Sequence, residues 1–135
     1  MKILIVDDDP VSREVLRKII ASRPAHQITV AEDGTAAWAL LDDPSRYFDV
    51  VFLDLTMPSP DGFEVLKRIR TSRLHDSVEV VICTGSNDRA TIAKAIQLGA
   101  RHYIVKPSTE AVVMGKLQQI RPDEAAVPER RLAGA

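Results

Sequence analysis

The sequence predicts an α/β protein built on a parallel sheet, and three observations carry that expectation. Short apolar runs recur along the chain, the stretches between them hold apolar residues at helical spacing, and one run, Val50-Val51-Phe52-Leu53, has four consecutive apolar residues. Four in a row fit a strand covered on both faces, because a half-exposed strand alternates. Where strands and helices alternate, each right-handed crossover returns the next strand in the same direction. Ligands of such open sheets sit at the carboxyl ends of the strands, where strand order reverses.

The first strand, Ile3 to Val6, runs straight into Asp7, Asp8 and Asp9. Pro10 suits the first turn of a helix with Asp8 or Asp9 as its N-cap, and Val15, Leu16 and Ile19 give an apolar stripe to about Ala21. Pro24 breaks that helix. Gln27 to Ala31 is the second strand, closed by the turn dipeptide Asp33-Gly34, and Thr35 to Leu41 is a helix with Ala37, Leu40 and Leu41 on one side. Trp38 is expected in or beside the core. The third strand delivers Asp54 to the sheet edge, and Pro58, Ser59, Pro60, Asp61 and Gly62 form a stiff loop before a helix marked by Phe63, Val65, Leu66 and Ile69. Arg70 to Asp76 reads as a polar exit. Val78 to Cys83 is the fourth strand, ending in Thr84-Gly85-Ser86, and Ile92, Ala95, Ile96 and Gly99 describe the next helix with its C-terminal glycine. His102 to Val105 is the fifth strand, ending in Lys106-Pro107. A final helix spans about Thr109 to Ile120, with Val113, Leu117 and Ile120 inward and Gly115 weakening it. From Arg121 to the end, two prolines and the loss of apolar periodicity predict a flexible tail, leaving residues 1–120 as the domain.

Composition narrows the function classes. A chain of 135 residues suits one domain with a core large enough to fold without disulfides or metals. Eighteen basic against 19 acidic residues give a net charge of −1, with no long Lys or Arg run, so direct nucleic-acid binding is not expected. The single cysteine, Cys83, lies in an apolar run and reads as a buried structural thiol. No apolar stretch approaches a membrane span, and the opening run meets acid too soon for a signal peptide, so a cytoplasmic location is expected.

The chemistry gathers at the strand ends: Asp7 and Asp8 after the first strand, Asp54 after the third, Thr84 after the fourth, Lys106 after the fifth. Singly these are a helix cap, a turn residue, a capping hydroxyl and a surface lysine. Together they bring three acids, a hydroxyl and an ammonium to one edge. Clustered carboxylates repel, and either a raised pKa or a divalent cation relieves the repulsion, the cation being the expected remedy here. Mg²⁺ prefers hard oxygens and is typically held by one or two carboxylates with phosphate oxygens. A carboxylate can also attack a phosphoryl group to give an acyl phosphate, with the metal and a lysine neutralising the equatorial oxygens. Asp54, central on the third strand, is the natural nucleophile.

These motifs resemble the receiver domain of two-component response regulators, from Lys2 to about Ile120. The match rests on Asp7-Asp8, on Asp54-Leu55-Thr56-Met57-Pro58 with Asp61-Gly62, on Thr84, and on Lys106-Pro107 with Tyr103 three residues earlier. The resemblance implies a doubly wound, flavodoxin-like, five-stranded parallel sheet in the order 2-1-3-4-5 with five helices. It implies Asp54 as phosphoacceptor and Mg²⁺ held by Asp8, Asp54 and the Thr56 backbone carbonyl, with Asp7 acting mainly through water. Lys106 and Thr84 contact phosphoryl oxygens in that reading, Thr84 and Tyr103 form the switch, and Lys106-Pro107 is a cis peptide. The implied partners are a sensor histidine kinase or histidine phosphotransfer protein and an unnamed downstream protein. That protein is expected to meet the face of the last two helices and the fifth strand, because no output domain is expected after Ile120. The chain is thereby expected to be a stand-alone regulator or a phosphorelay intermediate, and a monomer.

One departure is Gly85, where the family often has alanine, which leaves the phosphoryl pocket more open. Two other readings compete. An aspartyl-nucleophile phosphatase would need an acid at position 56, where Thr56 stands, and a flavodoxin-like binding domain with a decayed site would show no magnesium dependence.

Overall fold

A computed structural model describes residues 1–85 and 89–121. Its elements alternate as β1 (Lys2–Val6), α1 (Pro10–Ala21), β2 (Gln27–Ala31), α2 (Gly34–Leu41), β3 (Val50–Asp54), α3 (Gly62–Thr71), β4 (Glu79–Thr84), α4 (Arg89–Gln97), β5 (His102–Val105) and α5 (Glu110–Ile120), with a short 3₁₀ turn at Arg73–His75. All strand pairs are parallel, in the order β2-β1-β3-β4-β5. The doubly wound sheet expected from the sequence is therefore the observed one. From β1 the chain moves outward to β2, then crosses back to β3 on the other side. The order thus reverses between β1 and β3, the two strands that end in acid.

Both faces of the sheet are covered, which explains the unbroken apolar runs. Ile3, Ile5, Val50 and Phe52 pack with Leu16, Ile20, Val113 and Leu117, so α1 and α5 cover one face. Leu4, Val6, Val51 and Leu53 pack with Ala37, Val65, Leu66 and Ile69, so α2 and α3 cover the other. Trp38 packs partly buried against that second layer, as expected. Burial of a side chain such as Phe52, 1 % exposed, contributes roughly 2–3 kcal/mol.

Short polar residues set the helix starts. Asp9 accepts the Val11 N–H (3.1 Å), Asp33 that of Ala36 (2.7 Å), Asp61 that of Glu64 (2.9 Å) and Thr109 that of Val112 (3.3 Å). Each oxygen satisfies a first-turn donor that has no partner inside its helix. Of the two caps open for α1, Asp9 fills the place, with Pro10 at the first helical position.

Several expectations need correction. Asp33-Gly34 is not a turn closing β2, because Asp33 caps α2 and Gly34 is the helix's first residue. Arg70 to Asp76 is not simply a polar exit. Arg70 lies in the last turn of α3 and donates to Gly99 O (3.1 Å) and Val78 O (2.9 Å), while His75 is buried and donates from Nε2 to Leu41 O. The α4 stripe is thinner than expected. Only Ala95 is buried and Ile96 is 54 % exposed, so α4 rides the sheet edge. Gly99 closes α4 with φ +106°, and the Ala100 N–H returns to Ala95 O (3.0 Å), a left-handed cap that favours glycine. Of the expected tail, Arg121 pairs with Asp49 at 2.8 Å, and the rest lies outside the described residues.

Candidate functional site

The ends of β1, β3, β4 and β5 meet at one edge of the sheet. Register places Val6 beside Leu53, Asp54 beside Cys83, and Thr84 beside Val105. Asp7, Asp54, Thr84 and Lys106 therefore leave neighbouring strands at nearly the same level. Asp54 is 4 % exposed, Asp7 3 % and Thr84 2 %, so three polar residues are buried around one point.

Hydrogen bonds fix the carboxylates. Asp54 Oδ1 accepts the Thr56 N–H at 3.1 Å, which turns the β3–α3 loop over the carboxylate. Asp7 Oδ1 accepts the Asp9 N–H (2.9 Å), and its Oδ2 accepts Lys106 Nζ (3.0 Å). The same ammonium lies 3.7 Å from Asp54 Oδ2, so Lys106 bridges the acids of β1 and β3. Its backbone N–H donates to Thr84 O at 2.7 Å, tying the lysine to the end of β4. The Lys106-Pro107 and Ser59-Pro60 peptides are cis.

Burial pushes the Asp54 carboxyl up to about 6. The Lys106 charge and the Thr56 N–H oppose that rise, and Asp7 adds to it. Burial lowers the Lys106 ammonium, but its bond to Asp7 and the charges of Asp54 and Asp7 overcome this, leaving it above its usual value. Burial raises the Cys83 thiol to about 12, so it stays protonated behind the site as a packing residue.

One oxygen each from Asp7, Asp8 and Asp54 come within 4.8 Å of one another. Three carboxylates so placed, two buried and one exposed, form an all-oxygen donor set for a hard divalent cation. The raised Asp54 carboxyl points the same way, since burial and then Asp7 outweigh the single positive charge that Lys106 supplies.

Two features escaped the sequence reading. Arg13, one turn into α1, donates from Nη1 to Asp7 O at 2.9 Å and so fixes the turn that presents the acidic pair. No sequence signal marks that contact, because Asp7 precedes the helix and lies six residues from Arg13. A groove of about 400 Å³ also opens beside Lys106, between Val11 and Val15 of α1 and Pro107 and Ser108 after β5. Val11 is 70 % and Val15 42 % exposed, against the expectation that Val15 faces inward. Tyr103 stands outward from β5, 45 % exposed, with Lys116 Nζ 5.9 Å from its ring centroid.

A family model described as the response regulator receiver domain matches residues 3–118. Chemotaxis protein CheY-3 of Vibrio cholerae serotype O1 is 35% identical over 120 residues, covering 89% of this chain and 91% of that protein. A chemotaxis protein CheY homolog of Campylobacter jejuni is 29% identical over 120 residues, covering 89% and 92%. Among solved structures, the signal receiver domain of a DNA binding response regulator protein from Colwellia psychrerythraea superposes with a TM-score of 0.81 at 27% identity, covering 89% of this chain and 97% of that one.

Proposed function

The chain belongs to the response regulator receiver domain family of two-component signalling, and we propose that it accepts a phosphoryl group from a phosphohistidine donor onto Asp54. One observation carries this reading. A buried carboxylate ends the central strand with Lys106 3.7 Å away and the acids of β1 within reach of a shared cation. In the reaction an Asp54 oxygen attacks phosphorus and forms an O–P bond. The N–P bond of the donor breaks and its electron pair stays on that ring nitrogen, and because the phosphoimidazolium already carries a proton on its other nitrogen it leaves as neutral imidazole. Lys106 takes charge from the equatorial oxygens, and Thr84 donates to one of them.

Mg²⁺, held by Asp8, Asp54, the Thr56 backbone carbonyl and, through water, Asp7, supplies the remaining neutralisation when bound. Contact through water suits Asp7, whose two oxygens already accept the Asp9 N–H and the Lys106 ammonium.

The phosphoryl group adds charge and acceptor oxygens, drawing Thr84 toward Asp54 while Tyr103 turns into the space released. The α4–β5–α5 face changes with them and controls a partner protein. Thin burial of α4, with Ala95 alone inward, keeps the cost of moving it low. The donor, a sensor histidine kinase or a histidine phosphotransfer protein, seats a helix in the groove of Val11, Val15 and Pro107 beside Lys106. Catalysis is confined to the chain's own phosphorylation and dephosphorylation.

Incubation with a small phosphodonor, read by intact mass, tests the reading. The expected result is Mg²⁺-dependent gain of one phosphoryl group, lost in Asp54→Ala. Labelling that survives Asp54→Ala or ignores Mg²⁺ overturns it.

A further inference from the structure

Gly34 opens α2, well away from Asp54 in the sequence, and is buried. A Cβ placed on it would lie 2.1 Å from the carbonyl oxygen of Pro60, 2.6 Å from Pro60 Cγ and 3.0 Å from Pro60 C. Real side chains do not approach a backbone oxygen so closely. Among the described residues only Gly99 has a positive φ, so backbone conformation does not demand glycine at position 34. What excludes a side chain there is the neighbour, the loop between β3 and α3.

That loop carries the groups that complete the site. Thr56 donates its N–H to Asp54 Oδ1, and its carbonyl is the backbone oxygen assigned to the cation. The loop is seated from two directions. On the α3 side, Gly62 donates its N–H to Leu55 O (3.3 Å) and lies so close beneath Asp54 that a Cβ there would sit 2.3 Å from Asp54 O. On the α2 side, Pro60 rests on the bare Cα of Gly34. Leu55 and Met57 are buried in the same apolar layer as Ala37 and Leu41 of α2, so the loop and the helix share one core. Pro58 and Pro60 each lock φ near −65°. A shift forced at Pro60 therefore travels back along a stiff segment toward Thr56.

We propose that Gly34 is a positioning residue for the phosphoacceptor loop: its missing side chain lets Pro60 seat on α2, and that seat sets where Thr56 lies over Asp54. The inference rests on the phosphoacceptor reading of Asp54 and adds α2, an element with no side chain in the site, to the parts that fix its geometry. It also sets two effects of Gly34→Ala against each other. Alanine favours a helix over glycine, yet here its methyl group must push the loop off its seat.

The test compares wild type, Gly34→Ala, Pro60→Gly and Ala39→Gly. Pro60→Gly keeps the carbonyl but removes the ring that rests on Gly34 and the fixed φ that stiffens the loop, so it loosens the seat from the loop side and remains measurable should Gly34→Ala fold poorly. Ala39→Gly, at an exposed position of α2, weakens the helix without touching the loop. Two readouts are taken: the Thr56 backbone amide shift by ¹⁵N–¹H NMR in metal-free protein, and Mg²⁺ affinity by calorimetry. Gly34→Ala and Pro60→Gly are expected to move the Thr56 amide and to weaken Mg²⁺ binding by about tenfold or more, as loss of a supporting contact typically does. Ala39→Gly is expected to match wild type in both. The proposal is overturned by a folded Gly34→Ala with an unmoved Thr56 amide and Mg²⁺ affinity within about twofold of wild type. It is equally overturned if Pro60→Gly leaves both readouts unchanged, or if Ala39→Gly alters them as much as the loop variants do. Failure of wild type itself to bind Mg²⁺ would instead count against the proposed function, and the metal-free amide shift would still decide the role of Gly34.

Discussion

Asp54 sits in the metal-free protein against its own charge, because burial drives its carboxyl from an ordinary 3.8 up to about 6. Between those values the folded chain holds a proton that the unfolded chain has released. Stability from this group is therefore fully present below pH 4 and is lost as pH rises through about 6. Asp54→Asn removes the titration, so at pH 7.5 without metal the variant is expected to be more stable than wild type, by on the order of 1 kcal/mol after solvent screening. Urea unfolding in chelator at pH 4 and pH 7.5 checks this, and equal midpoints at pH 7.5 would count against it. Added Mg²⁺ is expected to reverse the ranking, since only the aspartate completes the donor set. Gly85 gives a second test at this scale. A Cβ there meets none of the described residues within 4 Å, so Gly85→Ala fits without strain and tests whether a methyl group at this corner screens the pocket beside Thr84. It is expected to slow acyl-phosphate hydrolysis and labelling by small donors about two- to fivefold, a barrier change of roughly 0.5–1 kcal/mol. Unchanged rates would show that access at this corner is not controlled by a methyl group.

Elements whose side chains repeat with a clear period were legible from the sequence, and elements held by single long-range contacts were not. The strands of β1 and β3 announced themselves because both faces of the sheet are covered, so every position had to be apolar. The stretch after α3 looked merely polar, since nothing local reveals that Arg70 reaches across to Gly99 O and Val78 O or that His75 turns inward to Leu41 O. Those contacts join α3, the α4–β5 turn and the start of β4 through one guanidinium. Gly99 is the other half of the joint. Its φ of +106° disfavours any side chain, and a Cβ there would fall 2.8 Å from Arg70 Cγ. Gly99→Ala is thus expected to cost about 1–3 kcal/mol, combining left-handed strain with displacement of Arg70. Chemical denaturation measures the loss. Paired with Arg70→Ala in a double-mutant cycle, it is expected to be less than additive because the two substitutions break one contact.

At the scale of the whole molecule, the five-strand order converts residues scattered from position 7 to position 106 into one cluster. That is why the site could be read from strand ends alone: a parallel sheet brings all carboxyl ends to one edge, and acids, hydroxyl and lysine stand there in turn. Surfaces were harder to read, because exposure depends on which face of a helix finds a neighbour. Val15 has the spacing of a core residue yet lies open beside Val11, since Leu16 and Ile20 already fill the contact of α1 with the sheet. Two exposed valines and Pro107 flank Lys106, so an apolar groove adjoins the edge that carries Asp7, Asp54 and Lys106. On the proposed function a protein donor would seat there to bring phosphohistidine in line with Asp54, whereas a small phosphodonor would need no seat. Val11→Glu places a charge in the groove without touching Asp54, Lys106 or the acids. It is expected to lower phosphotransfer from a cognate histidine kinase by about tenfold or more, the effect of losing about 1.4 kcal/mol of apolar contact. Labelling by the small donor is expected to hold near the wild-type rate. Parallel time courses with the two donors measure the difference, and an equal fall with both would place Val11 in the chemistry of Asp54 rather than in recognition of the donor.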